Sequence, residues 1–422
     1  MSKKIKVLTL GDHPLSPSGV GTQTRYVCEA LLATGKFNIF SLGGAIKHHD
    51  YRMSSVADYG TDWRVLPIDG YGTPEIIRSI LRNEKPDIVW VMTDPRFYEW
   101  LWSIDNEVRS ICPIVYYHVW DNYPYPKFNR GYYESNDHIV SISKLTDDIV
   151  RNVSPSVPCT YIPHAVDPTH FFPMSEDQQK KLRKDNFHPG DVNKFIIFWN
   201  NRNARRKQSG TLLWWFKDWI EEHNLQEKAQ LIMHTDPKDI HGQDLVHIAN
   251  RIGLIENRQV LFSTEKVSIE LMGAFYNMAD VTINISDAEG FGLSTLESLY
   301  CGTPIIVNMT GGLQEQIIGD GGPFGVPLFP SSKSVIGSQE VPYIYEDRIS
   351  ESHFKSALSN MYDMGHEERK RLGSAGRNHA LANYGFNDFK QKWVDTMIKI
   401  HEEHGSWDSR KKYTSINFKE IK

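Results

Sequence analysis

Two carboxylates, Glu289 and Glu297, stand eight positions apart in the string Asp287-Ala288-Glu289-Gly290-Phe291-Gly292-Leu293-Ser294-Thr295-Leu296-Glu297-Ser298-Leu299. The apolar run Val281–Ile285 before it predicts a strand, and Leu293–Tyr300 predicts a helix. A glycine-rich turn between a strand and a helix leaves backbone N–H groups pointing outward. With the helix dipole behind them, such groups hold a diphosphate. Gly290 and Gly292 let the backbone approach a ligand without a Cβ in the way. Glu289, in the turn, can accept hydrogen bonds from sugar hydroxyls, and Glu297, about one turn into the helix, can reach a ribose. The plain alternative is an ordinary strand–turn–helix with a capping acid.

A second run, Asn200-Asn201-Arg202-Asn203-Ala204-Arg205-Arg206-Lys207, follows the apolar stretch Phe195–Trp199. Cations at the carboxyl end of a strand suit an anionic diphosphate, whose charge grows as it leaves. Alone, the run would read as a solvated basic turn. A third, Ser16-Pro17-Ser18-Gly19-Val20-Gly21-Thr22-Gln23, lies after the first strand, with Gly19 and Gly21 as the positions of close approach. A dinucleotide fingerprint would want glycine where Thr24 stands and an acid at the end of the next strand, and Asn38–Leu42 ends in neither. A nicotinamide oxidoreductase is therefore disfavoured. The fourth is Tyr116-Tyr117-His118-Val119-Trp120-Asp121-Asn122, continuing through Tyr123, Lys127 and Arg130. Aromatics interleaved with cations can stack an acceptor ring, or simply pin a loop.

These residues need rigid elements beneath them. Short apolar runs alternate with amphipathic ones: strands at Lys4–Leu10, Asn38–Leu42, Asp87–Met92, Pro113–His118 and His138–Ser143, with helices at Gly21–Thr34, Pro74–Asn83 and Leu145–Val153. After a proline- and charge-rich stretch, Pro168–Lys194, the alternation restarts at Phe195–Trp199. Apolar strands separated by helices predict parallel sheets covered on both faces. The expectation is an α/β protein of two doubly wound, Rossmann-like domains facing across a cleft. The boundaries are residues 1–170, a linker 171–193, a second domain 194–385, a helix 386–404 returning to the first domain, and a solvated polar tail 405–422.

The string around Glu289 resembles the glycosyl transferases group 1 family, also called family 4, of GT-B fold. Its frame, Glu-Gly-Phe-Gly-x-x-x-Leu-Glu, is met at Glu289 and Glu297, and Gly302-Thr303-Pro304 continues the likeness. The resemblance implies that Glu289 contacts the donor sugar and Glu297 the ribose, with Gly290, Phe291, Gly292, Leu293 and Ser294 around the donor. It implies that Arg202 and Lys207 meet the diphosphate, although Asn201 and Gln208 stand where the family has glycines. His118 matches a histidine near the transferred sugar, and Gly19 and Gly21 match a loop facing donor phosphates and acceptor. Asp121, Tyr123, Lys127 and Arg130 are the candidate acceptor contacts. Ile162-Pro163-His164-Ala165-Val166-Asp167 resembles the family's hinge marker, with His164 and Ala165 departing from Asn-Gly. Retaining transfer from a nucleotide sugar, a UDP-sugar by family frequency, follows from the resemblance, with no cofactor.

The chain contains no Asp-x-Asp, the motif by which the other major glycosyltransferase architecture holds a divalent metal, so no metal site is expected. The wording of His13–Gly21 and Gly43–Asp50 looks like glycosyltransferase-like proteins of tailed bacteriophages. A phage enzyme acting on a hydroxymethylated pyrimidine in DNA is therefore an alternative to a carbohydrate or small-molecule acceptor, and a nucleotide-sugar epimerase is another. The formal charge of −5 argues against a global basic field for nucleic acid. Four scattered cysteines, no leader-like segment and no membrane-length apolar run point to a reducing, cytoplasmic setting, the host's if phage-encoded.

Overall fold

The computed structural model describes residues 3–415, which divide into two compact units. Among the described residues, the first holds 3–164, 337–343 and 387–415; the second holds 165–336 and 344–386.

The first unit is an eight-stranded sheet. Its strands are β1 (Ile5–Asp12), β2 (Phe37–Gly44), β3 (Ser54–Ser55), β4 (Trp63–Pro67), β5 (Ile88–Met92), β6 (Ile114–His118), β7 (His138–Ser141) and β8 (Cys159–Tyr161). They lie in the order β3-β4-β2-β1-β5-β6-β7-β8, and all pairs are parallel except β3 with β4. Every residue of β5 and β6 is buried, as expected of strands covered on both faces. Hydroxyl caps start the helices. Ser18 accepts from the amide of Gly21 before Gly19–Leu32, Thr73 from Ile76 before Pro74–Glu84, and Ser143 from Thr146 before Lys144–Val153.

The second unit has a six-stranded parallel sheet: β9 (Phe195–Asn200), β10 (Ala229–His234), β11 (Val260–Ser263), β12 (Val281–Asn284), β13 (Ile305–Asn308) and β14 (Gly325–Leu328), in the order β11-β10-β9-β12-β13-β14. Alternation along β9 feeds two layers. Phe195, Ile197 and Trp199 join Phe216, Trp219 and Phe354 in one core, while Phe198 stacks on Phe275 of helix Ile269–Met278 at 5.4 Å. An antiparallel pair, β15 (Ser332–Ile336) and β16 (Ile344–Arg348), completes the set.

Two stretches depart from the expectation. The proline- and charge-rich stretch contains a helix, Glu176–Asn186, with no buried residue and hence no apolar period to betray it. Local terms hold it instead: a capping box of Ser175 and Gln178, acids in its first turn, Arg183 and Lys184 in its last. Arg183 also donates to the carbonyl of Met278 and the carboxylate of Asp280. The segment after Gly405 is docked, not solvated. Ser406 donates to Asp87, the Trp407 indole to the carbonyl of Pro86, and Arg410 to Asp137. The end of the expected tail, 416–422, lies outside the described residues.

Helix Phe386–His404 packs on the first unit through Trp393, which is fully buried and meets the rings of Tyr117 at 4.8 Å and Trp90 at 5.8 Å. Trp393→Ala should destabilise that unit by about 3–5 kcal/mol. The check is a lowered unfolding midpoint, with Leu381→Ala, at a half-exposed side chain of the second unit, leaving it unmoved.

Candidate functional site

The winding of the second sheet reverses between β9 and β12. Doubly wound sheets bind ligands in the crevice beyond such a reversal, at the carboxyl ends of the strands. The basic run leaves β9 there and the glutamate string leaves β12. The structure joins the two: the Asp287 amide donates to the carbonyl of Arg206 at 2.8 Å, and the Arg206 guanidinium donates back to the carbonyl of Ala288.

At the centre lies Lys207, buried, with its ammonium against Glu289 Oε2. Arg206 Nη1 stands 3.8 Å from the same oxygen. Burial pushes the Glu289 carboxyl up, but Lys207 and Arg206 outweigh it and hold the group below its ordinary value, so it is ionised. Gln208, at φ +55°, turns the chain into helix Ser209–Glu222, and its amide donates to Asp287 at 2.5 Å. Burial pushes Asp287 up to about 6.

Helix Leu293–Tyr300 starts at Gly292 with no side-chain cap, so its first amides are left for a ligand. Gly292 sits at φ +93°, and a Cβ there would lie 2.5 Å from Leu313 Cδ2. Beneath the turn runs a ledge after β13. The Gly312 amide donates to the carbonyl of Glu289 at 3.0 Å, and a Cβ on Gly312 would fall 2.6 Å from the carbonyl oxygen of Gly290. One turn in, Glu297 receives the Tyr276 hydroxyl at 2.6 Å, which is itself held by the Asn200 amide at 2.9 Å. Burial pushes the Glu297 carboxyl up to about 7, against the pull of that hydroxyl.

Several candidates are placed otherwise than expected. Arg202 points away from Glu289: its guanidinium is engaged by Asp239 at 2.6 Å and its side chain is 63% exposed. Arg206, four residues on, is the arginine beside Lys207. Phe291 turns its ring into the core, edge-on to Tyr384 at 5.7 Å, so only its backbone faces the turn; Leu293 and Ser294 are half-buried. His118 is fully buried, with Nδ1 on the Tyr116 hydroxyl at 3.0 Å and Nε2 on the Tyr133 hydroxyl at 2.7 Å. Burial pushes it down to about 3, and it presents no ring nitrogen to a sugar. Gly19 opens the first helix, and Gly21 lies against the carbonyls of His13 and Ser16, 2.8 Å from where a Cβ would stand. Of the expected acceptor contacts, Tyr123 donates to Asp148, Arg130 pairs with Glu134, Asp121 is half-buried and Lys127 exposed. Tyr123 and Arg130 therefore pin their own segment.

The residues missed are Arg206, Asp287 with Gln208, Tyr276 with Asn200, and the ledge Thr310-Gly311-Gly312. Arg206, Asp287, Gln208 and Asn200 lie within or beside the runs already singled out. Tyr276 lies on a different helix and carries no sequence signal. Among the described residues, one group could gather a metal, the exposed Glu176, His366 and Glu367, whose ligand atoms lie within 4.8 Å of one another. Glu176 is already engaged by Lys370 and Lys180, and none of the three belongs to the site.

Two doubly wound units of this kind define a GT-B protein. Sucrose-phosphate synthase from Thermosynechococcus elongatus is similar to the chain with a TM-score of 0.74 at 15% identity, covering 94% of this chain and 100% of that one. Anabaena HepE, solved in complex with UDP-glucose, gives 0.66 at 14% identity, covering 94% and 100%. Residues 241–325 match the family model of glycosyl transferases group 1. A curated relative, D-inositol 3-phosphate glycosyltransferase of Corynebacterium jeikeium (strain K411), is 30% identical over 168 residues; the match takes in 39% of this chain and 38% of that protein's length.

The Glu297 carboxyl binds a proton more tightly in the folded chain than an unfolded carboxyl, at about 7 against an ordinary 4.5. Its contribution to stability is thus complete below the ordinary value and lost as pH rises through 7. Glu297→Gln should flatten this part of the stability profile between pH 4.5 and 7.5. Denaturant midpoints across that range check it, and an unchanged slope contradicts the burial argument.

Proposed function

We propose that the chain is a retaining, metal-independent glycosyltransferase that moves a sugar from a nucleoside diphosphate, a UDP-sugar, to a hydroxyl acceptor. The observation that carries this is the meeting of Lys207 and Glu289 beside an uncapped helix start. The family match supports the class, and UDP-glucose in the Anabaena structure supports the nucleotide.

The leaving diphosphate needs positive potential that is stronger in the transition state than before it. Lys207, Arg206 and the amides after Gly292 supply it from the chain's own groups. In the ligand-free site the Lys207 ammonium rests on Glu289. A diphosphate draws the ammonium to itself, and the freed carboxylate oxygens accept from the sugar hydroxyls. Glu297, oriented by Tyr276, accepts from the ribose hydroxyls. The bond from the anomeric carbon to the phosphate oxygen breaks, and the bond to the acceptor oxygen forms on the same face. The acceptor proton passes to the departing phosphate oxygen, so no protein base is required. Arg202 acts at a distance, by fixing the loop through Asp239, and not on the phosphates.

Lys207→Ala should lower kcat about 10²–10³-fold with a smaller change in donor KM, as for loss of a charge that acts on the transition state. Glu297→Ala should raise the Kd for UDP about tenfold or more, through loss of charge-assisted hydrogen bonds worth ~1.5–3 kcal/mol. Arg206→Ala should cost more turnover than Arg202→Ala. Product formation with and without EDTA, followed by mass spectrometry, tests the rest. Loss of transfer on chelation, or wild-type rates in Lys207→Ala, would sink the reading.

A further inference from the structure

Lys207 reaches Glu289 from an unusual turn. Gln208, the next residue, is not glycine, yet it sits in the left-handed region at φ +55° and ψ +34°, a conformation that an L side chain resists. Both ends of its side-chain amide are engaged. The nitrogen donates to Asp287 Oδ2 at 2.5 Å, and the oxygen accepts the Thr211 hydroxyl at 2.7 Å. Asp287 is buried and held from behind. The Asp347 amide donates to its carbonyl at 2.9 Å, and its own amide donates to the carbonyl of Arg206 at 2.8 Å. The turn that presents Lys207 therefore has two anchors on the glutamate string, one of backbone and one of side chain. The transfer chemistry proposed above uses neither Asp287 nor Gln208.

The side-chain anchor depends on charge. A carboxylate accepts the amide more strongly than a neutral acid does. With the Thr211 hydroxyl on its oxygen, the Gln208 amide cannot turn over to receive a carboxyl proton without breaking that bond. Glu346 on β16 raises the proton affinity of Asp287, while Arg348 on the same strand and Arg205 on the loop after β9 lower it. Glu346 also engages both arginines, and burial prevails, pushing the Asp287 carboxyl up to about 6. Asp347 on β16 is met by Thr310 and Lys333, and Arg206 turns its guanidinium to Ala288 and Glu289. A cavity of about 160 Å³, lined by Gln208, Thr211, Trp215, Asp287 and Arg348 among others, gives a proton access to the carboxyl. The carboxylate, and with it the strong anchor, prevails above that value and is lost below it.

We propose that Asp287, acting through Gln208, is a positioning residue that sets Lys207 where the terminal phosphate of a nucleoside diphosphate meets it. This rests on the reading of Lys207 as the cation for the leaving diphosphate. It goes beyond that reading by making the reach of the cation depend on an acid that touches neither sugar nor phosphate. Protonation of Asp287 loosens the turn, so the grip on a diphosphate weakens in acid, while the grip on the nucleoside through Glu297 does not pass through this link.

The test is calorimetry of the full chain with UDP and with UMP, which share the uridine and differ by one phosphate, at about pH 7.5 and about pH 5. The readout is the ratio of the two Kd values. The titration of Glu297, on the ribose side of both ligands, cancels in that ratio, and the ligands' own protonation is the same for every variant. Asp287→Asn keeps the shape and a neutral acceptor. At the higher pH it should weaken UDP about three- to tenfold and UMP less than about twofold. At the lower pH it should match the wild type, whose acid is then protonated. Gln208→Gly permits the left-handed turn without steric cost but removes the amide. It should weaken UDP at least as much, and adding Asp287→Asn to it should change nothing further. UMP binding shows that each variant is folded. Unchanged UDP affinity in either variant, a loss shared equally by UMP, or a gap between wild type and Asp287→Asn that persists in acid would each overturn the proposal. If the wild type binds no UDP at either pH, the proposed function falls and this proposal with it. If UDP binds and the ratio stays the same in the variants, this proposal alone falls.

Discussion

An ammonium buried beside a carboxylate, Lys207 on Glu289, sets the terms for everything around it. Taking either charge out of water alone is costly, and the opposite charge beside it offsets that cost. Together they are neutral to the rest of the domain, yet each keeps a strong affinity for a partner of opposite sign. The arrangement therefore survives without ligand and still responds to one. Its rigidity comes from backbone links that do not involve either charge: Asp287 to Arg206, Ala288 to Arg206, and Glu289 to Gly312. These tie three loops, each leaving a different strand, into one piece.

Glycine enters this construction where the chain needs space. Gly292 adopts a left-handed backbone and lies against Leu313, and Gly312 slides under Gly290. A side chain at either place would lift the turn off its ledge and move Glu289 away from Lys207. The function of these glycines is thus positional, and their effect reaches the charged pair through backbone contacts. The Tyr276 hydroxyl does the same for Glu297, fixing its carboxylate by donating to Oε2.

Much of this was legible in the sequence because it is local. The glutamate string, the strand before it and the helix after it are contiguous, and the helix Leu293–Tyr300 falls where the apolar period places it. The two sheets follow from β-branched runs at regular intervals. What was not legible depends on tertiary pairing. Arg202 and Arg206 are both arginines in one basic run, and only the presence of Asp239 on the loop after β10 decides which is taken elsewhere. His118 stands at a strand end, where a histidine can face a ligand, but two tyrosine hydroxyls from Tyr116 and Tyr133 close over it. The helix Glu176–Asn186 lacks an apolar face, so no periodicity announces it. The docking of residues 405–413 rests on polar pairs to Asp87 and Asp137 that a charged tail does not advertise.

The two units repeat one topological idea with different residues at the strand end. Each has a parallel sheet whose winding reverses at a central pair of strands, and each brings a loop–helix junction to that reversal. In the second unit the loop after the central strand carries Arg205, Arg206 and Lys207, and the helix start opposite is uncapped. In the first the central strand ends in Asp12, and the helix start is capped by Ser18. Topology thus fixes where a ligand can sit, while the residues at the strand end and the helix start fix what it meets there.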